Sequence, residues 1–140
     1  MRKNLPLLRT NYAAISDPSF LREPEILSYF SDETILIPEA ETVWKLKIIS
    51  YTQMRMTQRG IKQPEIVSLF ERFLKFCEAE NHIISVGAYT IFGKADTSSS
   101  LLTLRIDVDK TGKTENKAHT VTVFIGRGDI TQTTEVNLLP

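Results

Sequence analysis

The sequence predicts an α+β domain in which two to three N-terminal helices pack on a C-terminal four-stranded antiparallel meander. Three observations lead there. "QPEIVSLFERFLKFCEAEN" (63–81) repeats Ile66, Leu69, Phe70, Phe73, Leu74 and Cys77 at three- and four-residue spacing, as a helix with one buried face requires. After Asn81 the apolar residues recur at every second position, the period of half-buried strands. Helical pattern therefore precedes strand pattern, and such segregation marks α+β rather than alternating βαβ units.

The elements follow in chain order. Residues 1–16 have no clear period and read as an extended N-terminal arm; 17–140 read as a single domain, in keeping with a 140-residue chain. "PEILSYF" (24–30) suits a short helix with proline in its first turn, whereas "TILIP" (34–38) reads as strand or loop. Segment 38–59 carries Pro38, Glu39 and Glu41 at its start, with Arg55, Arg59 and then Gly60 at its end. Those are helix start and stop signals in the right order, so a helix is expected. Within it, Trp44, Leu46 and Ile48 alternate with Lys45 and Lys47, which is also a strand pattern.

The amphipathic helix 64–80 is to cover the sheet. Its Phe70, Phe73, Leu74 and Cys77 are expected against Leu102, Leu104, Val121 and Val123. The four strands are read at 82–93, with Ile84, Val86, Ala88 and Phe92 on one face, and at 100–109, with Leu102, Leu104, Ile106 and Val108 inward. The other two are 119–126, with Val121, Val123 and Ile125 sharing a face, and 130–139, with Val136 and Leu138 as its apolar pair. This order resembles, at the level of fold only, the cystatin-like and NTF2-like domains, and no motif ties the chain to a family.

Composition excludes several classes. Hydrophobic residues make up 41% and charged residues 24%, which is globular usage, and the formal net charge is zero, so no long-range field draws in nucleic acid or membrane. Cys77 is the only cysteine, so neither an intrachain disulfide nor a cysteine zinc cluster can form. "MRKNLPLLRT" lacks the apolar run of about 7–15 residues that a secretory signal needs. No stretch reaches the roughly 18–20 apolar residues of a bilayer span. A cytoplasmic protein with no membrane contact is expected.

The loudest motif is "RIDVDKTGKTENKAH" (105–119). As a calcium loop starting at Asp107, it matches at Asp109 and Gly112, but Thr111 and Ala118 stand where ligands five and twelve belong. As a phosphate loop it has Asp107 where glycine is needed, and a strand follows instead of a helix. The stretch reads as a hairpin with an even-numbered loop around Thr111–Gly112, Gly112 supplying a positive φ. "GRGD" (126–129) and "DTSSS" (96–100) likewise read as a turn and a solvated connection. His82 and His119 read as strand-end residues, and Cys77 as a small hydrophobe. No metal or cofactor is expected.

With no convergent catalytic set in view, the leading expectation is a non-enzymatic protein-binding module: a small adaptor, regulatory or assembly subunit. If 38–59 is helical, Trp44, Ile48, Tyr51 and Arg55 form one stripe, rich in residues that dominate interface hot spots. That stripe is the expected partner-binding site, for an unidentified protein partner or for self-association through a second copy. One alternative is a small-molecule-binding domain or enzyme with a pocket between helix 64–80 and the sheet, where Tyr89, Asp96, Arg105 or His119 supply polar groups. Another is single-stranded nucleic-acid binding through the 45–75 region, which holds seven basic residues against two acidic ones. The zero net charge speaks against nucleic acid.

Overall fold

The computed structural model describes residues 27–39, 42–94, 101–112, 114–126 and 133–139. The expected arm, the first residues of "PEILSYF", Asp96, "DTSSS" and the end of "GRGD" lie outside them.

Segment 38–59 is not one helix. Its strand pattern prevails in the first half and its helical pattern in the second, giving β2 (Thr42–Ile48) and α1 (Ser50–Arg59). The alternation explains the split. As a strand, 43–48 sends Trp44, Leu46 and Ile48 together into the core and Lys45 and Lys47 to the other side, whereas a helix would scatter them around its circumference. "TILIP" supplies the partner. It lies in β1 (Glu33–Glu39), which pairs antiparallel with β2 so that Ile35 faces Leu46 and Ile37 faces Trp44.

The chain then enters α1, α2 (Gln63–Ala79), β3 (Gly87–Lys94), β4 (Leu101–Lys110), β5 (Glu115–Ile125) and β6 (Thr134–Asn137). The strands form one six-stranded mixed sheet in the order β1-β2-β5-β4-β3-β6. β2 runs parallel to β5, and β3 parallel to β6, while the other neighbours are antiparallel. The expected architecture is thereby corrected. Among the described residues two helices stand between a hairpin and the later strands instead of preceding a four-stranded meander, so the likeness in element order to cystatin-like and NTF2-like domains fails. Only β3, β4 and β5 meander. The physical reason is that a parallel neighbour is reached through a long crossover, and no short turn motif in the sequence announces it.

Both helices end by the same device. Gly60, at φ 71°, donates to Thr57 O, and Ile61 donates to Met56 O at 2.9 Å. Asn81, at φ 55°, donates to Glu78 O, and His82 donates to Cys77 O at 2.8 Å. Each is a left-handed residue closing a paired C-terminal cap, which satisfies carbonyls the helix leaves open. At its start, α2 has the Lys62 N–H donating to the Glu65 carboxylate at 2.8 Å. α1 has no side-chain cap of its own; Asp32 accepts the Ser50 N–H at 2.7 Å instead.

The core lies between one sheet face and α2. Phe70, Phe73, Leu74 and Cys77 join Leu102, Leu104 and Val123 there, as expected. Edge-on aromatic contacts run through it from Trp44 to Phe70 (5.4 Å between centroids), and from Phe73 to Tyr89 (5.5 Å). Two face assignments differ from expectation. Residues 82–86 precede the strand, and β3 turns Tyr89, Ile91 and Gly93 towards the core partners Ile106, Leu104 and Leu102. In β5, the register with β4 shifts between Arg105 and Ile106, so Ile106 pairs with Thr120 while Leu104 pairs with Val123. Val121 is the extra residue, and such a bulge moves the following side chains to the opposite face, which the simple alternation Val121–Val123–Ile125 could not show.

β4 ends at Lys110 and β5 begins at Glu115. Gly112 is not at positive φ. Its N–H is instead held by Asn116 Oδ1 at 2.9 Å, and a Cβ there would sit 3.3 Å from Glu115 O.

Candidate functional site

The expected stripe is divided by the fold. Trp44 and Ile48 are buried on β2, at 2% and 0% exposure, while Tyr51 and Arg55 lie on α1. These last two remain together at the surface. Arg55 Nε donates to Tyr51 Oη at 2.9 Å, its guanidinium sits 5.0 Å from the Tyr51 ring centre, and it also donates to Gln58 Oε1 at 3.1 Å. The i,i+4 spacing on a helix brings the pair into contact. Beneath it, α1 is fastened to β5. Thr52 Oγ1 donates to Val121 O at 2.9 Å and to Thr120 O at 3.3 Å, and Arg59 donates to Val123 O. β2 accompanies β5 only as far as Thr120, so α1 takes over the carbonyls where the neighbouring strand stops.

The residues expected to line a helix–sheet pocket are not assembled. Tyr89 is buried in the core, its hydroxyl accepting the Ser85 N–H at 3.0 Å. His119 lies on the opposite sheet face, 2.8 Å from Asp109 through Nδ1 and 3.7 Å from Asp107 through Nε2. Arg105 belongs to that same opposite face, one residue out of phase with Leu104 and Ile106. That face is ionic elsewhere too. Lys45, Lys110 and Lys117 approach Glu115 at 2.5, 3.7 and 3.9 Å, and the Lys45 contact holds the Glu115 carboxyl below its usual range. Lys47 pairs with Asp32 at 3.3 Å. Asp107 and Asp109 are thus engaged with a histidine on flanking strands, and among the described residues no group of three His, Cys, Asp or Glu side chains could hold a metal ion.

One cleft of about 450 Å³ lies at the C-terminal end of α2. Four chain segments meet there. The turn-side ends of β1 and β2 bring Glu39, Thr42 and Trp44; the last turns of α2 bring Leu74, Cys77 and Glu78. The cap at Asn81 then turns the chain so that His82–Ile84 form the rim, with Ile83 86% exposed. Thr111, Gly112 and Asn116 close the far side, Asn116 standing beside Trp44 in the parallel β2–β5 register. Trp44 Nε1 is buried with no hydrogen-bond partner among the described residues. A donor left so costs about 1–3 kcal/mol unless something supplies an acceptor. Burial, and then the Glu39 charge, push the Cys77 thiol up to about 11, so it is held as the neutral thiol and is a poor nucleophile.

Of these residues the sequence reading names Trp44, Leu74, Cys77, His82, Ile84, Thr111 and Gly112, each for another reason. Glu39 was read only as a helix-start signal, and Glu78 and Asn116 carried no functional signal. Ile83 did: it is an isoleucine that the inward alternation of its neighbours leaves without a core position. Comparison with protein-family models, with curated proteins and with solved structures finds no match to this chain. No helix among the described residues is long and apolar enough to cross a membrane.

Proposed function

We propose that the protein is a non-enzymatic protein-binding module, a small adaptor, regulatory or assembly subunit, that meets its partner through the outer face of α1. The observation that carries this reading is the Tyr51–Arg55 pair, Tyr51 exposed and Arg55 half-buried, already ordered by a hydrogen bond and a stacking contact. Tyrosine and arginine are enriched among interface hot spots, and a side chain ordered before binding loses less entropy on association. α1 is also a firm platform, since Thr52 and Arg59 fasten its other side to β5. Trp44 and Ile48, proposed with them from the sequence, act on this surface only by supporting the fold. The basic residues of 45–75 support a nucleic-acid reading less well. Lys45 pairs with Glu115 on β5 and Lys47 with Asp32 just before β1, Arg59 bonds β5, and Arg72 bonds Lys94 O and Leu138 O at the opposite end of the sheet.

The test is the double substitution Tyr51→Ala with Arg55→Glu. Co-purification from the source cell, and sedimentation of the pure chain, should lose the associated species seen with the wild type. The midpoint of urea unfolding should stay within about 0.5 kcal/mol, as for surface changes. A double mutant that associates normally removes α1 from the interface.

A further inference from the structure

The cleft at the end of α2 has a chemistry of its own, independent of the α1 surface. Two carboxylates, Glu39 and Glu78, line it, and among the described residues neither lysine nor arginine does. Among the described residues, His82 is the only lining side chain able to carry positive charge. The floor is the Trp44 indole, with Leu74 and Cys77 beside it, and Ile83 and Ile84 make an apolar rim. Its volume of about 450 Å³ lies within the range of small-molecule sites, roughly 300–1,000 Å³. Carboxylates beside a largely covered indole attract organic cations through charge. The second, independent observation is the Trp44 Nε1–H, which has no acceptor in the protein among the described residues. That atom is shielded from solvent, so an acceptor on a ligand meets it only when the groups covering it move aside.

We propose that this cleft binds a small organic cation: an ammonium group on an apolar body that also carries a hydrogen-bond acceptor. Glu39 and Glu78 hold the ammonium, the isoleucine rim covers the apolar body, and the indole N–H takes the acceptor. Anions of the same shape are turned away by the two carboxylates.

Trp44 is the only tryptophan of the chain, so its fluorescence reports on the cleft floor alone. The probes are phenylalaninamide (cationic), N-acetylphenylalaninamide (neutral) and N-acetylphenylalanine (anionic), titrated into the full chain. Phenylalaninamide should give a saturable change in Trp44 emission at millimolar concentration or below, the neutral probe a weaker one, and the anion none. Glu39→Gln with Glu78→Gln should weaken phenylalaninamide binding by about tenfold, equivalent to about 1.4 kcal/mol. Should that variant unfold, raising the salt concentration gives the same information, since it weakens binding of the cation and leaves the neutral probe unchanged. A flat titration with phenylalaninamide, equal responses to cation and anion, or binding indifferent to both the carboxylates and salt would each overturn the proposal.

Discussion

Cys77 shows how one residue's chemistry follows from its place in the fold. Its helical spacing put it on the apolar face of α2, and the structure buries it at 2% exposure. Burial, and then the Glu39 charge from the cleft wall, raise its thiol from 9.0 to about 11. The sign of the consequence is fixed. A folded-state value above the unfolded one means that the folded protein retains the proton longer, so this contribution to stability is complete below pH 9.0 and is lost as pH rises towards 11. Urea unfolding midpoints compared across that interval should fall more steeply for the wild type than for Cys77→Ala, the difference isolating the thiol from lysines and tyrosines that titrate nearby. Parallel slopes would show that the thiol is not perturbed. The same perturbation leaves Cys77 slow towards alkylating reagents at neutral pH, because the thiolate is the nucleophile.

Among the elements, α1 has the least obvious structural duty. From the sequence it reads as the second half of one 38–59 helix, yet in the fold it completes the sheet, bonding β5 carbonyls that β2 does not reach. Thr52 carries this duty at full burial. Thr52→Val keeps the shape and removes the hydroxyl, leaving the Thr120 and Val121 carbonyls without that donor. The expected cost is about 1–3 kcal/mol in urea unfolding, without change in the slope of the transition. A loss below about 0.5 kcal/mol would mean that water satisfies those carbonyls and that α1 only lies alongside the strand. Legibility within elements follows the same logic. α2 was readable almost to the residue because six apolar positions at helical spacing leave one solution. Segment 38–59 was misread because both periods are present in it. Terminal signals at Pro38 and Gly60 suggested one helix, when Pro38 belongs to β1 and Gly60 caps only the second half.

For the whole molecule, the sheet and α2 form one cooperative core, and Phe73 sits at its centre between Phe70 and Tyr89. Phe73→Ala should lower unfolding stability by about 3–5 kcal/mol, a large part of what a domain of this size has, measured by denaturant or calorimetry. An unchanged midpoint would contradict the packing of α2 on the sheet. The sequence by itself determined the amphipathic helix, the inward alternation of Leu102, Leu104, Ile106 and Val108, and the apolar pair Val136 and Leu138, because each depends on local period. Only the tertiary structure decided that the "TILIP" hairpin joins the same sheet, that β2 lies parallel to β5 and β3 to β6, and that a bulge at Val121 reverses the faces of β5. The candidate cleft belongs to this second group. Glu39, Trp44, Glu78, Ile83 and Asn116 come from separate stretches, and Asn116 reaches Trp44 through the parallel β2–β5 pairing. The physical reason is that period records which side of an element is buried, whereas strand partnership is settled by the global packing of all the buried faces at once.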